Sequence, residues 1–117
     1  MSIELRRVHD EDEPRKDSYR VLVDRIWPRG ISKDQLAADE WPKDVAPTSE
    51  LRKAFHAGEI SWSEFRRRYL GELREHRETL RPLAQRASRD KVTLLYSASD
   101  PDHNNAVVLR QYLGMLK

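Results

Sequence analysis

The sequence predicts an α/β fold, a single compact domain with a small, mostly parallel sheet covered by helices. Three observations point there. Residues 21–23 (VLV) and 92–96 (VTLLY) are short, nearly unbroken apolar runs between polar flanks, the pattern of strands buried on both faces. Helical periodicity fills the chain between them and after the second, and strands alternating with helices build parallel layers. The 117 residues suffice for one domain and its core, without disulfide or metal support. An α+β arrangement with a mixed sheet is the alternative.

The elements follow in order. Residues 3–8 (IELRRV) alternate at Ile3, Leu5 and, less cleanly, Val8, which predicts an edge or half-buried strand. HDEDEPRKDSY is a polar loop. The second strand, at 21–23, stops at WPRG, because Pro28 offers no ladder donor and Gly30 permits a turn. A short helix capped by Ser32 follows. The stretch with Pro42 and Pro47 is extended, with room for a brief strand before Pro47. Thr48 or Ser49 then caps a helix through ELRKAF that ends at Gly58. SWSE is a capping box, with Ser61 as cap and Glu64 three residues on. It opens a helix whose apolar stripe is Trp62, Phe65, Tyr69, Leu70 and Leu73. That stripe reads as core; an aromatic ligand box at Trp62 and Tyr69 is the other reading. Arg66, Arg67 and Arg68 spread around the helix as a solvated face. Pro82 predicts a break near residues 76–79, with the proline in the first turn of a new helix. Residues 92–96 read as a central strand. Asp100-Pro101 reads as cap and first residue of the last helix, whose buried stripe is Ala106, Leu109, Leu113 and Leu116.

Composition excludes several functions. There is no cysteine, so disulfides, thiolate nucleophiles and Cys-based metal sites are out. Neither a signal peptide nor an apolar run long enough for a membrane span is present, and the cytoplasm is the simplest compartment. The net charge of +2 is too small to argue for nucleic acid. Arginine outnumbers lysine, which suits bidentate anion contacts but also follows from base composition. The four histidines are widely spaced, with no HExxH or HxxxH, so no metal site is predicted. The acidic run at 10–13 has no buried partner to make it one. Ser97 and Ser99 follow a strand, but no glycine flanks them as in a nucleophile elbow.

The polar residues after the two buried strands carry the functional prediction. One strand runs into Asp24, Arg25, Trp27, Arg29 and Gly30, the other into Ser97, Ser99, Asp100 and then His103, Asn104 and Asn105. Parallel neighbours would bring both segments to one edge, where open α/β sheets bind ligands. Arg25 and Arg29 beside a helix start would make an anion cradle. Trp27 would wall it, Gly30 would turn the chain, and Asn104 and Asn105 would orient the ligand. His103, in the first turn of that helix, is the candidate acid/base. In the competing structural reading Arg25 pairs internally, Trp27-Pro28 plugs the core, and Asp100 takes the helix donors.

The segments YRVLVDRIWPRGISK, VAPTSELRKAF, WSEFRRRYLGEL and VTLLYSASDPDHNNAVVL together resemble the YeaO-like branch of the domain-of-unknown-function 488 (DUF488) family, in order and over nearly the whole chain. The resemblance implies a compact α/β protein and brings no established reaction. It marks Asp24, Arg25, Trp27, Arg29, Gly30, His103, Asn104 and Asn105 as the distinctive set. It also implies cysteine and histidine near 97–103 in longer relatives, and the cysteine is missing here.

The expected function is binding of a small anionic, phosphate-ester or nucleotide-like ligand at the C-terminal edge of the sheet, with no cofactor. The alternative is a nucleic-acid-binding or protein-interaction module. Whether catalysis occurs, and the oligomeric state, are not encoded legibly.

Overall fold

A computed structural model of the chain describes residues 2–11 and 17–116. The middle of the polar loop predicted after the first strand, residues 12–16, lies outside the described residues. Three strands, β1 (Ile3–Arg7), β2 (Tyr19–Leu22) and β3 (Val92–Tyr96), form a sheet of order β1-β3-β2. Both pairings are parallel, with Ile3 and Tyr19 each opposite Val92. β3 is therefore central, and all five of its residues are buried. Five α-helices complete the fold: α1 (Lys33–Leu36), α2 (Ser49–His56), α3 (Trp62–Glu75), α4 (Arg77–Ala87) and α5 (Asn105–Met115). Among the described residues no helix is long and apolar enough to cross a membrane.

Alternation along the strands divides the core in two. Val21, Val23, Val92, Leu94 and Tyr96 face the larger cluster, built with Phe65, Tyr69, Leu73, Leu80, Leu109 and Leu113. α5 lies against β3 and β1, α3 and α4 pack on α5, and α2 packs on α3. Leu22 and Leu95 face the other way, onto Val8 and Leu36, flanked by Trp27, Ile31, Ala38 and Trp41. That face is covered by α1 and a loop rather than by long helices. It also holds Arg20, whose side chain is 2% exposed and pairs with Glu11.

Several boundaries differ from the sequence expectation, each for a local reason. Before Pro47 there is no strand; Lys43–Val45 is a 3-10 turn. α4 begins at Arg77, directly after a one-residue break at His76, so Pro82 sits in its second turn and not its first. Pro82 is solvent-exposed, so the Glu78 carbonyl that loses a donor can take water, while Leu80, Leu83, Ala84 and Ala87 stay buried. α5 begins four residues later than expected: Asn104, not Asp100, is the cap, accepting from the Val107 N–H at 3.1 Å. Asp100 instead accepts from the Asp102 and His103 N–H groups at 2.9 and 3.2 Å, closing a turn ahead of the helix. His103 thus precedes the helix. At Ser61 the cap is as expected, but the Glu64 carboxylate bonds Arg67 and Arg68 rather than reaching back.

Two local features give stability predictions. Ala37 ends α1 in the left-handed conformation, at φ 49°, which a Cβ disfavours. Ala37→Gly is expected to stabilise by about 0.5–1 kcal/mol, since relief of that strain exceeds the extra chain entropy. The urea midpoint should rise with an unchanged slope, and a fall would contradict the assignment. Tyr69 is fully buried and donates to the Val45 carbonyl at 2.6 Å. Burial pushes its phenol well above the usual range, so the hydroxyl stays a donor. Tyr69→Phe should cost about 1–2 kcal/mol by orphaning that carbonyl, read from the same titration.

Candidate functional site

Because β2 and β3 are parallel neighbours, their following segments meet at one edge. Asp24 joins them. Its Oδ2 accepts from the Ser97 backbone N–H at 2.9 Å and from Ser97 Oγ at 2.5 Å. Its Oδ1 accepts from Asn105 Nδ2 at 3.0 Å, and Asn105 also donates to the Val23 carbonyl at 2.9 Å. The Asp24 carbonyl takes the Trp41 indole N–H at 2.7 Å. One carboxylate thereby ties the end of β2 to the end of β3 and the start of α5.

A cavity of about 400 Å³ opens at this edge. Asp24, Arg25, Trp27 and Arg29 line it from the segment after β2, and Ser97, His103, Asn104 and Asn105 from the segment after β3. Gly30 is not among its walls; it turns the chain just outside, at φ 76°. Each predicted residue has a definite local arrangement. Arg25 donates through Nε to the Pro47 carbonyl and through Nη2 to the Ala46 carbonyl, both at 3.1 Å. Among the described residues no carboxylate lies within ion-pair distance of its guanidinium or of the exposed Arg29 guanidinium. Trp27 donates to the Ile31 carbonyl at 2.6 Å and meets Trp41 edge-on, centroids 5.3 Å apart. It is both wall and core. Asn104 is buried and satisfied at both ends of its amide, by Val107 N–H and by the Asp100 carbonyl. Asn104 and Asn105 therefore shape the edge through internal bonds.

His103 stacks on Trp62, with centroids 4.8 Å apart. Its Nδ1 lies 3.5 Å from Asp100 Oδ2. The Asp102 N–H, and after it the His103 N–H, hold the Asp100 carboxyl below its ordinary range, so an anion sits beside that imidazole. His9 reaches the same cavity, its Nε2 3.3 Å from the Arg29 carbonyl.

Sequence reasoning missed the contribution of α2. Arg52, Phe55 and His56 line the cavity, and their i, i+3, i+4 spacing places them on one helix face. That spacing is visible in the sequence, but the segment reads as an ordinary amphipathic helix. The Arg52 Nε is buried and, among the described residues, has no hydrogen-bond partner. A buried, unpaired donor calls for an explanation. The cavity thus combines three guanidiniums and three imidazoles with an apolar floor of Phe55, Phe65 and Pro47. Its one acidic wall residue, Asp24, is already bound to Ser97 and Asn105. Among the described residues there is no group of three or more side chains able to hold a metal ion.

Residues 2–116 match the family model described as the inactive DUF488-N3 subclade. The chain is 47% identical over 116 residues to the uncharacterized protein YeaO of Escherichia coli (strain K12), covering 99% of this chain and 100% of that one. It is 39% identical over 112 residues to the uncharacterized protein Rv3073c of Mycobacterium tuberculosis (strain ATCC 25618 / H37Rv), covering 96% and 93%. The uncharacterized protein Mb3100c of Mycobacterium bovis matches to the same extent. No solved structure matches. A full-length family match and a relative at nearly half identity agree with each other, and the chain belongs to the YeaO-like branch of the DUF488 family.

Proposed function

We propose that this chain binds a small anionic ligand of the phosphate-ester class in the cavity at the C-terminal edge of its sheet. The observation that carries the reading is the Arg52 Nε, enclosed in the wall without a partner. An anion oxygen is the acceptor that this buried Nε–H lacks. Arg29, exposed and unpaired among the described residues, supplies a second charge at the rim. Arg25 adds a third while bracing the loop at Ala46 and Pro47. Trp27 walls the site, and Asn104, Asn105 and the turn at Gly30 hold the edge in shape. His103, with Asp100 beside it, keeps an arrangement suited to proton transfer. The matched family's description as inactive supports binding as the primary role.

The nucleic-acid alternative draws less support. Arg67 and Arg68 share Glu64, and Arg77 and Arg81 face Glu78, so half of the charge of these helix-face arginines is balanced locally. Calorimetric titration of the full chain with glycerol phosphate is the direct test. Arg52→Gln should weaken binding roughly ten- to a hundredfold, as expected for a charge-assisted hydrogen bond of about 1.5–3 kcal/mol. Unchanged affinity in both Arg52→Gln and Arg29→Gln would remove the cavity from consideration.

A further inference from the structure

We infer that the ligand is a phosphate monoester carrying a flat aromatic ring, with the phosphate on the arginine wall and the ring stacked on His103. The inference rests on the anion-site reading above and adds the chemistry of the other half of the ligand.

Size gives the first argument. A space of about 400 Å³ would hold roughly thirteen waters. A bare phosphate, with five heavy atoms, fills a small part of it. Beside the arginines and the polar residues of the edge, the walls carry Phe55, Phe65, Pro47, Trp27 and Ile26. Ile26 is 59% exposed, so apolar surface is left uncovered where the body of an ester would emerge.

Ring geometry gives the second. Phe55 and Phe65 stack with centroids 4.6 Å apart and planes 24° from parallel. Phe65 and Trp62 follow at 5.7 Å and 24°, then Trp62 and His103 at 4.8 Å and 27°. Phe55 also meets Trp62 directly, at 5.8 Å and 47°, so Phe55, Phe65 and Trp62 form one mutually touching cluster, and His103 extends it by stacking on Trp62. Trp62 covers one face of that imidazole. The side chain is nevertheless half exposed and lines the cavity, and among the described residues no other ring stacks on it. An imidazole stacked on one side only accepts a flat ring on the other, because offset stacking adds to simple burial. Charge gives the third argument. Three guanidiniums with no free carboxylate among them match the dianion of a monoester better than the single charge of a diester.

The test compares phenyl phosphate with cyclohexyl phosphate, equal in charge and similar in size but differing in flatness, on the full chain by calorimetry. Phenyl phosphate should bind about fivefold tighter or more. His103→Ala should erase that preference by weakening phenyl phosphate more than cyclohexyl phosphate, and His103→Phe should preserve it. Arg52→Gln should weaken both esters alike. Adenosine monophosphate separates two sources of the same chemistry: tighter binding than phenyl phosphate supports a nucleoside monophosphate, weaker binding a simple aryl ester. Equal affinity for phenyl and cyclohexyl phosphate overturns the aromatic claim while anion binding stands. Failure of every phosphate to bind overturns both.

Discussion

Arg20→Met should destabilise the protein by about 3–5 kcal/mol, the largest single effect expected from a side chain outside the hydrophobic clusters. Arg20 leaves β2 on the sheet face opposite the long helices, with its side chain 2% exposed. It holds Glu11 with two bonds, Nη2 to Oε1 at 2.7 Å and Nη1 to Oε2 at 3.2 Å. Its Nε and Nη2 also satisfy the last carbonyl of α1, that of Leu36, at 3.2 and 2.8 Å. The Glu11 side chain is only 6% exposed. Among the described residues, removing the guanidinium leaves that carboxylate with Arg6 alone, 3.7 Å away, and orphans a helix-end carbonyl. Against a typical total of about 5–15 kcal/mol such a loss is severe. The melting temperature should fall by roughly 10–20 °C. Pairing Arg20→Met with Glu11→Met should recover most of it, because an apolar pair carries no desolvation penalty. A single variant within about 0.5 kcal/mol of wild type, the size of an ordinary surface change, would show that the pair is not the anchor described.

Asp24→Ala comes second, at about 2–4 kcal/mol. It strands the Ser97 N–H and hydroxyl and one donor of Asn105 in a partly buried seam. Asp24→Asn keeps one acceptor and should cost less. The consequence is local as well as global. Hydrogen exchange at Ser97 and at the first turn of α5 should accelerate more than exchange in the centre of β3, since the bond network at the edge opens before the sheet does. Uniform acceleration would mean that Asp24 acts through overall stability and not by joining the edge.

Much of this architecture is legible in the sequence, and the parts that are not share a cause. β3 is written in its run of apolar residues, α1 and α3 in Ser32 and Ser61, and the meeting of the two strand ends in their parallel character. Arg25, Arg29 and His103 line one cavity because of that topology. What escaped depends on partners far away in sequence. Arg20 reads as an ordinary polar residue before an apolar run until Glu11 and Leu36 are brought beside it. Arg52, Phe55 and His56 form a face only once a cavity lies in front of them. Asp100-Pro101 carries a genuine start signal, but Asn104 wins the cap because the buried stripe of α5 begins at Ala106, and packing decides where a helix starts when two caps compete. Local cost alone places Pro82 in a first turn, and the buried Leu80–Ala87 side of α4 overrides that cost.

β1 and β2 do not pair with each other; each hydrogen-bonds to β3, which follows some seventy residues after β2. On the ribosome, at about 5–20 residues per second, that leaves roughly 4–15 s in which two strands have been made and the one that joins them has not. A nascent chain stopped before Val92 has no sheet to form, and its apolar strand segments are free to meet those of other chains. Release of the last third is therefore the committing step of folding, and the protein's dependence on chaperones should be greatest just before it.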